Sequence, residues 1–194
     1  MALFRQSDLK KQIVKNNLSK SLAESNLTRL SKSDRDDFDI FMSHSFLDAT
    51  EIAALASKIE EMGFSVYVDW VVDRHLDRSK VNKDTAEIIR QRMRKCKSLF
   101  FATSENTQNS KWMPWELGFF DGLKGKVAIL PIVDDAYADS DSYVGREYLG
   151  LYPYVTSDLI KDSSKETLWV HHSPSEYVNL TGWLKGNPPY KRQN

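Results

Sequence analysis

Between Phe38 and Ile132 the apolar residues follow two rhythms that take turns. Short apolar runs occur at Phe38-Asp39-Ile40-Phe41-Met42, Ser65-Val66-Tyr67-Val68-Asp69, Ser98-Leu99-Phe100-Phe101-Ala102-Thr103 and Val127-Ala128-Ile129-Leu130-Pro131-Ile132. Between them, apolar residues recur every three or four positions. The first rhythm predicts strands buried on both faces, the second amphipathic helices. Ile52, Leu55, Ala56, Ile59 and Met62 form one helical stripe, stopped by Gly63. A second helix, near 82–96, buries Ile88, Ile89 and Met93 and turns Arg90, Arg92, Arg94 and Lys95 to water. Ser110 reads as the cap of a third helix, which carries Glu116.

Strand and helix in alternation predict a parallel sheet covered on both faces, in a doubly wound, flavodoxin-like α/β layout. Residues 134–150 are polar and loop-like, and Tyr152-Pro153-Tyr154-Val155 reads as a fifth strand at the sheet edge. Leu168-Trp169-Val170-His171 suggests another short strand. Ser173-Pro174-Ser175-Glu176 has the form of a capping box, predicting a last helix from 174 to about 185 that ends at Gly186. Before the core, Leu9, Ile13, Leu18 and Leu22 recur at roughly helical spacing and predict an amphipathic helix from about 7 to 24. The expected organisation is an N-terminal helical extension and linker over 1–33, one domain over 34–186, and a frayed tail over 187–194.

Composition narrows the function. The chain has 194 residues, 41% hydrophobic and 28% charged, with 27 basic and 27 acidic side chains. That balance gives no global field toward nucleic acid or anionic membrane, and neither is expected as a partner. No apolar run approaches a membrane span, and no secretory h-region opens the chain. A cytoplasmic location is the expectation. Cys96 is the single cysteine, which excludes a disulfide framework and multi-cysteine zinc sites. No metal and no resident cofactor are expected. Glycine-rich phosphate loops and the Gly-x-Ser-x-Gly elbow are also absent from the sequence.

Open parallel sheets bind ligands at the carboxyl ends of their strands. Here those ends carry Ser43-His44-Ser45-Phe46, Asp69-Trp70 and Thr103-Ser104. The helix after the third strand brings Trp112, Trp115 and Glu116 to the same edge, with Trp112 and Glu116 four residues apart on one helix face. An acid among large aromatics is poor packing material and well suited to act on a bound molecule. The same acid could also serve as a first-turn charge favoured by the helix dipole.

Three segments in this order, Asp39-Ile40-Phe41-Met42-Ser43-His44-Ser45, Gly63-Phe64-Ser65-Val66-Tyr67-Val68-Asp69 and Ser110-Lys111-Trp112-Met113-Pro114-Trp115-Glu116-Leu117, resemble a Toll/interleukin-1 receptor (TIR) domain of the bacterial stand-alone kind. The resemblance spans about 37 to 135, with weaker agreement to about 185. It implies a five-stranded parallel sheet and, in some members, cleavage of NAD⁺ at the nicotinamide–ribose bond, with a glutamate in Glu116's position essential. Ser43, His44, Ser45, Phe46, Asp69, Trp70, Ser104, Trp112 and Trp115 are the candidate substrate-binding residues. The loop after Asp69 would border the site and help domains assemble, so a homo-oligomer is expected. The same resemblance, to the TIR component of Thoeris antiphage systems, implies an ADP-ribose-derived messenger read by a separate effector. The rival readings are a non-catalytic adaptor working through TIR–TIR assembly and a deoxyribosyltransferase-like enzyme.

Overall fold

A computed structural model describes residues 2–15, 37–45, 48–68, 82–104, 107, 110–134, 142–145 and 147–191. The expected alternation is present. Strand β2 (Phe38–Ser43) leads to α2 (Ala49–Glu61) and β3 (Val66–Tyr67); α3 (Lys83–Arg94) leads to β4 (Cys96–Thr103), α4 (Met113–Lys124), β5 (Val127–Val133) and, after a short 3-10 turn at Glu147–Leu151, β6 (Tyr154–Leu159). These strands lie in the order β3-β2-β4-β5-β6, all parallel. The order places β3 and β4 on opposite sides of β2, so the sheet has its switch point between β2 and β4.

Alternate residues of each central strand feed two cores, as the two-residue period of a strand requires. Ile40, Met42, Phe100, Ala102 and Leu130 pack under α2 with Ile52, Leu55 and Ile59. Phe41, Leu99, Phe101 and Ile129 pack on the other face with Ile89 and Met93 of α3 and Met113, Leu117 and Phe120 of α4. Gly63 closes α2 at φ +95°, a backbone setting that a side chain would strain. Thus α2 covers one face and α3 and α4 the other.

The sheet is larger than the five strands expected. Among the described residues it has nine, because the chain beyond β6 returns as antiparallel β7 (Glu166–Ser173), β8 (Glu176–Asn179) and β9 (Tyr190–Lys191). Tyr154–Leu159 is therefore an interior strand, paired on both sides, and not an edge. The helix expected over 174–185 is replaced by a turn, β8 and a short helix, α5 (Leu180–Leu184). Pro174 sits in the turn, Val178 pairs with Val170 and faces the core, and the capping role falls to Asn179, whose side chain accepts the Gly182 N–H at 2.8 Å. β-forming Tyr177-Val178 beside a strand with an open edge outweighs the local capping pattern. The segment after Asn187, expected to fray, pairs Tyr190 with Tyr177.

The N-terminal segment is built into the same core. The expected helix is described as α1 (Gln6–Lys15), and the remainder of 7–24 lies outside the described residues. It is preceded by β1 (Phe4–Arg5). β5 and β6 pair only at Ile129–Tyr154 and then part. β1 pairs with β5 beyond that point, Phe4 with Ile132 and Arg5 with Val133, while Ala2 and Ser157 exchange backbone hydrogen bonds of 3.2 and 3.1 Å. Phe4 and Leu9 are 4% and 3% exposed and join the α2-side core.

One ion-pair cluster ties β2 to its neighbours. Burial alone would raise the Asp39 carboxyl, but the Lys97 ammonium at 2.8 Å and the Ser65 N–H and hydroxyl outweigh it and hold the group below the usual carboxylate range. A depressed folded-state value means that this contribution is complete above the unfolded carboxylate range and disappears as pH falls through the folded one. Asp39→Asn is expected to cost about 1–3 kcal/mol at neutral pH and to flatten the loss of stability below about pH 4. Chemical denaturation at pH 7 and pH 3 measures both; equal losses for variant and wild type at the two pH values would exclude this role.

Candidate active site

The site is assembled where β2 and β4 end. Residues 110–113 turn the chain into α4: the Ser110 hydroxyl accepts the Met113 N–H at 3.3 Å, as the sequence suggests, and Pro114 occupies the first turn, where a missing N–H costs nothing. Glu116 follows in that turn and points inward, fully buried at 0% exposure. A carboxyl group at such a depth requires hydrogen-bond donors. Ser43, the last residue of β2, supplies one: its hydroxyl donates to Glu116 Oε2 at 2.6 Å. This bond links the first strand of the parallel set to the helix that follows the third.

A second link crosses the same boundary in the opposite sense. Ser104, just past the end of β4, donates its hydroxyl to Asp48 Oδ2 at the start of α2. Asp48 is 5% exposed, and its backbone N–H is held by the Ser45 carbonyl at 3.0 Å. Ser104 is fixed in turn by Thr107, whose hydroxyl accepts the Ser104 N–H at 2.8 Å. His44 and Ser45, both 4% exposed, complete the end of β2. The His44 Nδ1 lies 2.9 Å from the Met42 carbonyl. A carbonyl can only accept, so Nδ1 carries the proton.

The tryptophans divide. Trp112 is 5% exposed and belongs to the core, meeting Trp115 edge-to-face at 5.5 Å. Trp115 is half-buried, stacks on Phe119 at 5.8 Å and carries the Arg90 guanidinium over its ring at 5.4 Å. Arg92 and Arg94 likewise lie over Tyr67 and Phe119. The arginines expected to face water are thus laid across aromatic rings. Trp112 and Trp115 form one wall of a groove of about 860 Å³ between the starts of α3 and α4, shared with Asn82, Glu87, Arg90 and Lys111. Glu116 does not line that groove.

Of the sequence candidates, then, Ser43 and Glu116 touch, Ser104 and Ser45 meet on Asp48, His44 packs beside them on β2, and Trp112 and Trp115 stand next to the acid facing a separate groove. Phe46, Asp69, Trp70 and the loop at 72–78 lie outside the described residues. Among the described residues no group of three or more His, Cys, Asp or Glu could hold a metal. None of their helices is long and apolar enough to cross a membrane. Cys96 is buried in the core, where desolvation pushes its thiol well up and keeps it protonated. His171, the buried member of the His171-His172 pair, stacks on Tyr154 at 4.9 Å and donates to or accepts from Thr156 at 2.8 Å, a packing role away from the sheet edge.

No family model matches the chain. Its similarity to individual proteins is high. Over 195 residues, 96% of this chain and 100% of the relative, it is 50% identical to a Bacillus cereus (strain MSX-D12) protein named probable 3′ cyclic ADP-D-ribose synthase ThsB′. The chain belongs to the ThsB′-like TIR proteins. A second relative, the putative cyclic ADP-D-ribose synthase TIR2 of Cytobacillus dafuensis, is 27% identical over 100 residues, 51% of this chain and 26% of that protein. The similarity thus extends over nearly the whole TIR chain.

Asp48 escaped the sequence reading of this TIR protein. No motif singles it out. It stands at the N-cap position of α2 and makes no side-chain capping bond there.

Proposed function

We propose that this protein cleaves NAD⁺ at the nicotinamide–ribose bond and closes the remaining ADP-ribose on itself, giving a cyclic product. The observation that carries the reading is Glu116. It is a buried acid fixed by Ser43 at the carboxyl edge of a parallel sheet, in a chain half identical to a named cyclic ADP-D-ribose synthase.

One carboxylate suffices for the first half of this chemistry. Nicotinamide departs from a cationic nitrogen and leaves neutral, so no acid has to protonate it. Positive charge then develops on the ribose, as in glycoside cleavage. Glu116 faces that charge, and Ser43 holds its carboxylate in one orientation, so the stabilising group needs no reorganisation as the bond breaks. Trp115, with a partly open ring on the adjoining groove, offers a stacking surface for the adenine or nicotinamide ring. Glu116 is fully covered in the structure, so productive binding includes an opening over the carboxylate. A second copy of the chain, docked by TIR–TIR contact, completes the pocket in the open state. The cyclic product acts as a messenger to a separate effector in antiphage defence.

The test is direct. The full-length protein is incubated with NAD⁺ at high protein concentration, and products are identified by liquid chromatography and mass spectrometry. Nicotinamide and a cyclic isomer of ADP-ribose are expected in equal amounts. Linear ADP-ribose alone would refute cyclisation, and no release of nicotinamide would refute the reaction.

A further inference from the structure

Cyclisation makes a demand that nicotinamide departure does not. A linkage of the 3′ kind, which the relative's name specifies, closes through a ribose hydroxyl. As its oxygen bonds to the ribose carbon, the hydroxyl must give up a proton. Glu116 is ill-suited to take it. A proton on Glu116 would erase the negative charge while the cation it faces persists.

A second carboxylate stands across the switch point. β2 continues into α2 on one face of the sheet, and β4 continues into α4 on the other, so their carboxyl ends flank the switch point, the usual ligand position in such sheets. Glu116 enters from the α4 side and Asp48 from the α2 side. Each is held by a serine of the opposite strand, Ser43 from β2 and Ser104 from beyond β4. Ser43 pairs with Phe101 in the sheet, and Ser104 lies three residues further along. The two serine anchors are therefore about 10 Å apart along the strand direction.

We propose that Asp48 is the general base of ring closure, accepting the proton of the ribose hydroxyl that attacks. The inference rests on the NAD⁺-cleaving reading above. In the step, the bond from ribose carbon to nicotinamide nitrogen breaks and its electron pair stays on the pyridine ring. The hydroxyl oxygen bonds to the same carbon, its proton passes to Asp48, and Asp48 then releases that proton to solvent. The products are nicotinamide, the cyclic molecule and one proton. Ser104 is a positioning residue, holding the Asp48 carboxylate at the switch point.

The measurement is the ratio of cyclic to linear product from NAD⁺. Asp48→Asn keeps the shape and the Ser104 contact but cannot take a proton. Without the base, water competes for the ribose cation, and the ratio is expected to fall by about 10²-fold, the lower end of general-base contributions. Asp48→Glu, which restores a carboxylate on a longer arm, should recover part of it. An unchanged ratio in folded Asp48→Asn overturns the proposal. Should that variant fail to fold, Ser104→Ala reads the same point: the acid remains but is no longer held there, and the ratio must fall, an unchanged value again overturning it. A wild-type protein that releases no nicotinamide overturns the parent reading and this one with it, a result distinct from nicotinamide release with an unaltered product ratio.

Discussion

Glu116→Gln should reduce nicotinamide release from NAD⁺ by at least about 10²–10³-fold, the cost of removing one preorganised electrostatic group from a reacting centre. The substitution is chosen for its shape. A glutamine amide oxygen can still accept the Ser43 hydroxyl at the place where Oε2 does so at 2.6 Å, so the link between β2 and α4 survives. The negative charge is lost, and an amide NH2 takes the place of Oε1. Glutamine is uncharged and Glu116 is fully buried, so the variant also sheds the cost of burying a charged group. Its melting temperature is therefore expected to equal or exceed that of the wild type. Activity and stability should move in opposite directions, as expected of a group kept for chemistry at the expense of packing. A variant as active as wild type would eliminate the catalytic role. Comparable losses of activity and stability would assign Glu116 to the architecture instead.

The second large effect lies far from the acid. Phe4→Ala is expected to destabilise the protein by about 3–5 kcal/mol, the usual result of truncating a buried phenylalanine. Typical domains have only about 5–15 kcal/mol in total. Phe4 is 4% exposed, packs in the α2-side core with Leu9, and has the Lys58 ammonium 5.9 Å from its ring centre. Lys58 is itself held at 2.8 Å by Glu166 of β7. Removing the ring thus loosens contacts to three elements and the seam where β5 and β6 part. A fall in melting temperature of roughly 10 °C follows for a chain of this size. Phe4→Leu, which conserves most of the volume, should cost less than about 1.5 kcal/mol. If Phe4→Ala melts with the wild type, the N-terminal segment is an appendage and not part of the core.

These two residues mark the range of what the sequence discloses. Glu116 was legible because its signals are local: two tryptophans, a proline in the first helical turn, and a preceding strand whose end is plain from its apolar run. The central strands were legible for the same reason, as was the stop of α2 at Gly63. Phe4 was not legible. A two-residue strand has no periodicity, and its partners Ile132 and Val133 are distant in the chain. The C-terminal strands failed differently. Ser173-Pro174-Ser175-Glu176 satisfies a helix-start pattern, and only the open edge of β7 decides that Tyr177-Val178 should pair instead. Asp48 failed in a third way: no local motif marks it, and the bond from Ser104 depends on two strand ends lying side by side. In each case the missing information was a contact between segments remote in sequence.

The seam between β5 and β6 has a consequence for the order in which the molecule takes shape during synthesis. Phe4 and Arg5 are made 128 residues before their strand partners Ile132 and Val133, and Ala2 is made 155 residues before Ser157. At ordinary elongation rates roughly 10 s separate them. Through that interval the backbone of Phe4 and Arg5 has no strand to pair with. The seam is closed by a segment made well before either strand that it joins.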